Sequence, residues 1–277
     1  MEEGALRADS RMSTFEFKRA LVRTPSASVV HGLRGGAGPD PSLEGIRREH
    51  AAYVAALEAC GLAVTVLPPL EGFPDAVFVE DPALVFPDVA ILLRPGAVSR
   101  RGEAAALEPV LREHFGTVLL LGEGHVDGGD VLATPEGFFI GLSTRTDAAG
   151  AAALVHLLAR LGYPARVVRT PPGVLHLKTA CSLLDGDTLL ATAALAATGT
   201  FDDFHILTVA NGEEAAANAL RLNDTILASA AAPRTLELLS RHGFNVMPLQ
   251  VAEFSRLDAG LSCLSLRWRA GFITHAG

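Results

Sequence analysis

Cysteine is scarce in this chain of 277 residues, and its three copies, Cys60, Cys181 and Cys263, form no C-x-x-C pair. An odd, scattered set argues against a disulfide framework and against a cysteine-ligated structural zinc, and makes a reducing cytoplasm the economical location. Apolar runs such as VAILL and TVLLL fall far short of the roughly 20 residues a membrane-spanning helix needs. The opening MEEGALRADSRMST lacks the apolar region of a signal peptide and reads as a frayed extension, with Met12 an alternative start. Lys and Arg form no block and the formal net charge is −8, so neither nucleic acid nor a membrane surface is an expected partner. No G-x-G-x-x-G follows the first strand and no GK[ST] phosphate loop occurs, which disfavours dinucleotide and nucleotide folds. The Gly-rich HGLRGGAGPD precedes no helix at the required spacing and reads as a loop. What remains, with 49% hydrophobic and 19% charged residues, is a globular chain long enough for a substantial core.

Its grammar repeats. EGIRREHAAYVAALEACG places Ile46, Tyr53, Val54 and Leu57 on one helical face and runs through glycine into the strand LAVTVLP. EAAALEPVLREHFG, DAAGAAALVHLLARLG and RTLELLSRHG likewise end in glycine before strand-like runs. Glycine takes the left-handed conformation past a helix end without a Cβ clash. Between these units lie paired strand-like runs: AVFVEDPALVF with VAILLRP, GGDVLAT with FFIGLS, ACSLL with TLLATAA, and NALRL with TILASA. Their Asp, Asn, Gly and Pro junctions predict hairpins. The C-terminal GLSCLSLRW has no consecutive mate, and FKRALVRTP near the N-terminus supplies one. Five hairpin-bearing units closed in this way predict a ring, which leaves fewer exposed sheet edges than an open α/β sheet. The unit around Asn218 is expected to lack a full-length helix.

Polar residues that a core disfavours recur at matching places. They are Asp75, Glu80 and Asp81 in the first unit, Asp127 and Asp130 in the second, His176 in the third and Cys263 in the fifth. If each precedes an inner strand, the ring gathers acids, an imidazole and a thiol into one pocket. Several buried acids call for a cation, and a guanidinium presents a planar fork of donors matched to carboxylates. A thiolate can attack the guanidinium carbon while His176 protonates the departing amine and then activates water. Asp127 would orient the imidazole and favour its charged form. Such hydrolysis needs neither metal nor organic cofactor. His125, Asp127 and Asp130 form a ligand-like grouping, but three such residues in one loop are common by chance and no metal is expected.

FVEDPALVF, VDGGDVL, LHLKT and GLSCLSLRW, in this order and spacing, resemble the dimethylarginine dimethylaminohydrolase family of the pentein superfamily. The likeness runs from about Phe17 to Trp268. It implies a five-bladed α/β propeller of ββαβ units: one catalytic domain over residues 15–270, between an extension at 1–14 and a tail at 271–277. It further implies that Cys263 is the nucleophile forming a covalent amidino intermediate, His176 the general acid and base, and Asp127 the acid beside it. Glu80 and Asp81 match the pair facing the guanidinium, and Asp75 and Phe78 match residues of the substrate pocket. Arg100 and Arg145 match arginines that hold the substrate's carboxylate. Leu33, in a lid-like loop, and Leu257 match backbone contacts, and Asp258 adjoins the guanidinium. Ala259 departs from the pattern, standing where relatives often have glycine.

The implied reaction is hydrolysis of mono- or asymmetric dimethylarginine to citrulline and a methylamine. Deimination of arginine or agmatine, cleavage of a related ureido compound, and non-catalytic amino-acid binding are the alternatives. Arginine deiminases carry an extra helical domain for which this length leaves no room, and loss of the thiol or imidazole would mark a binding protein. Cys60 and Cys181, among alanines and apolar strand neighbours, read as core. A homodimer is the base-rate expectation for assembly.

Overall fold

The computed structural model describes residues 14–36 and 38–269; the extension, Thr14 apart, and the tail expected at the two ends lie outside them. Fifteen strands form five separate three-stranded sheets among the described residues. The first unit comprises β1 (Arg19–Arg23), helix α1 (Leu43–Ala59) and β2 (Ala63–Leu67). The second is β3 (Ala83–Val85), β4 (Val89–Leu92), α2 (Arg101–His114) and β5 (Thr117–Leu120). The third is β6 (Val131–Thr134), β7 (Gly137–Leu142), α3 (Ala148–Arg160) and β8 (Ala165–Arg169). The fourth begins with the single turn α4 (Leu177–Ala180), then β9 (Cys181–Leu183), β10 (Thr188–Ala191), α5 (Ala193–Ala196) and β11 (His205–Thr208). The fifth is β12 (Leu220–Leu222), β13 (Thr225–Ser229), α6 (Pro233–Arg241) and β14 (Asn245–Leu249). A short α7 (Ala252–Ser255) then leads to β15 (Leu266–Trp268).

In every sheet the first two strands pair antiparallel and the third, after its helix, returns parallel to the middle one. The last strand completes the first unit: β15 pairs antiparallel with β1, Arg19 opposite Trp268, and β1 pairs parallel with β2. The chain is therefore a closed ring of five ββαβ units, the pentein propeller, held shut by its own two ends. A buried apolar cluster fills the space inside each unit. The α1 face contributes Ile46, Tyr53 and Leu57 as fully buried residues, while Val54 is half-buried. Tyr53 reaches across the seam to Ser265, hydroxyl to hydroxyl at 2.6 Å.

Two expectations are corrected. The truncated helix belongs to the fourth unit, where α5 spans four residues; the unit after Asn218 has a nine-residue α6 begun by Pro233, whose fixed φ suits a first turn. The run AVFVED is a succession of buried turns, and the strand starts only at Ala83. Its backbone is spent elsewhere: Glu80 N–H donates to the Cys263 carbonyl at 3.2 Å and Asp81 N–H to the Phe78 carbonyl at 3.4 Å. Among the described residues no helix is long and apolar enough to cross a membrane.

Trp268 ends the closing strand at 4% exposure, with its ring 5.0 Å from that of Phe115. Trp268→Ala is expected to lower stability by about 3–5 kcal/mol through the cavity it leaves, read by denaturant unfolding.

Candidate active site

A polar residue stands two to five residues ahead of the first strand in each hairpin: Asp81, Asp127, His176, Asn218 and Cys263. Asp127 has no exposed surface. One of its oxygens lies 3.0 Å from His176 Nε2 and the other accepts from the Gly96 N–H at 2.8 Å. The double glycine that follows is a packing requirement. Gly129 donates its N–H to Asp81 Oδ1 at 3.0 Å, and a Cβ there would sit 2.8 Å from the His176 ring. Asp130 then takes the Leu177 N–H at 2.8 Å and the Ser143 and Thr146 hydroxyls at 2.6 and 2.7 Å, which fixes the turn carrying His176. Buried Glu49 accepts the Glu253 and Phe254 N–H groups at the start of α7, anchoring the segment that leads to Leu257 and Cys263.

A narrow cleft with about 30 Å³ of free space is lined by Leu33, Asp75, Phe78, Asp81, Arg100, Arg145, Leu175, His176, Leu257, Asp258, Ala259 and Cys263. Ten of the twelve residues singled out from sequence are in it. Asp127 stands behind His176. Glu80 does not face the cleft, contrary to expectation. Within this run of turns the two neighbouring acids point to opposite sides. Glu80 binds Lys178 Nζ at 2.6 Å, Arg267 at 2.9 Å and the Ser262 hydroxyl at 2.9 Å. That cluster borders a larger, mainly apolar cavity of about 300 Å³ lined by the inner strands.

Arg100 is also corrected. It lines the cleft, but its side chain is 4% exposed and its donors are already engaged. Nε and Nη2 hold Glu103, Nη2 also donates to the Asp75 and Phe78 carbonyls, and Nη1 holds Asp81. An arginine so committed is an internal counter-ion that aims Asp81. Arg145 lines the cleft and makes no side-chain hydrogen bond or ion pair among the described residues. Ala259 sits in ordinary backbone; the left-handed residue of the turn is Asp258, at φ 55°. Asp258 accepts from the Gly35 N–H at 2.6 Å, and Asp75 accepts from the Leu33 N–H at 2.9 Å, so two carboxylates latch the loop over the cleft.

Sequence reasoning missed Lys178, Glu103, Arg267 and Asn218. Lys178 and Arg267 sit inside the recognised LHLKT and LSLRW stretches, and Asn218 heads a hairpin in the same way as the named residues. Their positions were visible; their partners were not.

The electrostatics follow from this crowding. Burial alone would strip His176 of its proton, but Asp81, the bond to Asp127, and Asp130 outweigh it and raise the imidazole to about 9. Burial and the Glu80 and Asp81 carboxylates push the Cys263 thiol up to about 12, against a Gly260 N–H and Lys178 that favour the anion. Asp81 is itself also buried, yet Arg100 and His176 hold it down at about 2. Burial raises Asp75, and lifts Glu103 to about 7 despite Arg100. Asp81, Asp127 and His176 lie close enough to suggest a metal cage. Their oxygens are already taken by Arg100, Gly129, Gly96 and the imidazole itself, so the cluster reads as a satisfied polar network.

No family model matches the chain. The N(G),N(G)-dimethylarginine dimethylaminohydrolase of Pseudomonas aeruginosa is 39% identical over 254 residues, which are 91% of this chain and all of that protein. The Streptomyces coelicolor protein of the same name is 38% identical, covering 91% of this chain and 97% of its own. This chain belongs to the dimethylarginine dimethylaminohydrolase family. A cysteine-to-serine mutant of the P. aeruginosa protein complexed with citrulline superposes with a TM-score of 0.88 at 38% identity, over 91% of this chain and all of the other. The N-terminal domain of ArgZ, at 21% identity and a TM-score of 0.81 over 91% and 98%, shares the fold.

The raised imidazole carries a stability signature. His176 binds its proton up to about pH 9 when folded and to about 6.5 when unfolded, so its contribution is complete below pH 6.5 and lost as pH rises through 9. Across that window wild type is expected to lose on the order of 3 kcal/mol more than His176→Ala, measured by denaturant unfolding. Equal pH slopes for the two proteins would overturn the assignment.

Proposed function

We infer that this protein hydrolyses N-omega-methylated L-arginine, mono- or asymmetrically dimethylated, to L-citrulline and methylamine or dimethylamine. The observation that carries this is one narrow cleft presenting the Cys263 thiol, a charged His176 and the Asp75 and Asp81 carboxylates, with an unengaged Arg145 at its edge. The names of the two bacterial relatives, and the citrulline held by one of them, support the same substrate class. The three unpaired thiols support a reducing, cytoplasmic location.

The geometry suggests the sequence of steps. Asp81, aimed by Arg100, receives the guanidinium, while Arg145 meets the α-carboxylate and Asp75 serves both substrate and loop. The incoming cation offsets the two carboxylates that keep Cys263 protonated, so the thiol ionises on binding and its proton leaves to solvent. Sulfur adds to the guanidinium carbon, imidazolium gives its proton to the departing nitrogen, and the amine leaves an amidino-thioether on Cys263. Neutral His176 then takes a proton from water, whose oxygen adds to the same carbon. The C–S bond breaks as the hydroxyl proton passes to the departing sulfur, returning the Cys263 thiol and forming the ureido group of citrulline. The Leu33–Asp75 and Gly35–Asp258 hydrogen bonds hold the loop beside this narrow cleft.

Cys263→Ser is expected to lose citrulline formation by several orders of magnitude with an unchanged melting temperature; undiminished turnover in that variant would refute the nucleophile. Because a cation enters as a proton leaves, substrate binding is expected to release protons. Calorimetry in two buffers of different ionisation enthalpy reads that release, and buffer-independent heats would count against activation by the substrate. A comparison of methylated arginines with arginine and agmatine sets the preference, with the methylated substrates expected to give the highest kcat/KM.

A further inference from the structure

Four of the five polar residues ahead of the inner strands have a place in the chemistry above. The fifth, Asn218, touches no cleft surface, yet it is buried beside the nucleophile's turn. Its carbonyl oxygen accepts from the Ser262 N–H at 3.0 Å, one residue before Cys263. Its amino group donates to the Lys178 carbonyl at 2.9 Å, two residues after His176, and to the Ser262 hydroxyl at 3.2 Å. Amide orientation follows from this network: flipped, it would set oxygen against the Lys178 carbonyl and N–H against N–H. The same side chain packs so closely on Gly260 that a Cβ there would overlap the Asn218 amide. Gly260 lies three residues ahead of Cys263, and its backbone favours the thiolate there.

We propose that Asn218 is a positioning residue for the hydrolysis. One amide fastens the segment carrying the general acid to the segment carrying the nucleophile, and packs against Gly260 in the turn before the sulfur. The three segments belong to different units of the ring, with nothing in local chain geometry to fix their separation. Lys178 lies in α4, where the Thr179 N–H also closes on the His176 carbonyl at 3.0 Å. A shift at Lys178 therefore moves the imidazole. A shift at Ser262 moves the sulfur and passes through its hydroxyl to Glu80, the carboxylate that bears on the thiol. Asn218 lies away from Asp75, Asp81 and Arg145, so substrate binding does not depend on it directly.

This inference rests on the reaction assigned above, and its test separates the two. Steady-state citrulline formation is measured from pH 6 to 10 for wild type and Asn218→Ala, with thermal unfolding of both. Expected are a loss in kcat of roughly 10- to 100-fold, the scale of a small misplacement of reacting groups, and KM within about twofold. The acidic limb of the kcat–pH profile should also move up by about one unit, since the Gly260 backbone that favours the thiolate loses its packing partner. A purely structural residue would lower the melting temperature and leave that limb in place. If Asn218→Ala does not fold, Asn218→Ser keeps a polar atom in the gap but cannot span both segments, and the same split and displacement are expected. A folded variant with wild-type kcat and an unmoved limb overturns the proposal while leaving the hydrolase reading intact. Absence of citrulline from wild type overturns the reading itself.

Discussion

An excess of buried negative charge governs this molecule. Asp75, Asp81, Glu103, Asp127 and Asp130 are all nearly inaccessible, and the buried cations near them are Arg100, His176 and, beside Glu103, Arg23. Desolvated acids are costly without positive partners. The free protein answers by retaining protons: the imidazole stays charged, the thiol stays neutral, and Asp75, Asp130 and Glu103 are all pushed up. A planar cation entering beside Asp81 supplies the missing charge. In the proposed reaction, recognition and activation are thus the same electrostatic event.

Ring closure makes that density of charge attainable. Each unit contributes a short turn before an inner strand, and no single unit could bury so many acids around one point. The closing pair of β1 with β15 matters doubly, since Cys263 lies three residues ahead of β15 and is placed by it. Glu80 then separates two environments. On one side is the polar cleft, on the other an apolar cavity, and its bonds to Lys178, Arg267 and Ser262 form the partition between them.

The sequence was most legible where chemistry and periodicity agreed. Helices ending in glycine, hairpin junctions and the unmatched GLSCLSLRW strand led to the ring, because local propensity decides those features. Cys263, His176, Asp127 and Asp81 were legible because thiol, imidazole and acid sit badly in an apolar strand and so announce a site. Arg100 was misread for a physical reason: a guanidinium suits a ligand carboxylate and an internal one equally well, and only the fold brings Glu103 and Asp81 to it. Glu80 and Asp81 were separable by strand alternation, but the turns before Ala83 obscured which would face the cleft. Asn218 was passed over because an uncharged amide at a hairpin start looks like ordinary turn chemistry.

The committed Arg100 bears on selectivity. Had both arginines been free, they would have faced the α-carboxylate with two positive charges, and the guanidinium end would have lost the group that aims Asp81. With Arg100 turned inward, Asp81 is held ionised at about 2 and rigidly pointed, so the strong, well-oriented contact is at the reacting end. The half-exposed Arg145 offers a weaker, solvent-screened grip at the other. Such a distribution invests recognition in the atoms where bonds change, which is where it can assist the reaction. It also leaves the resting thiol inert: at about 12 it is almost wholly protonated at neutral pH and a poor nucleophile toward stray electrophiles. In the proposed reaction the sulfur becomes reactive only when the cation that lowers its pKa also presents the carbon it attacks.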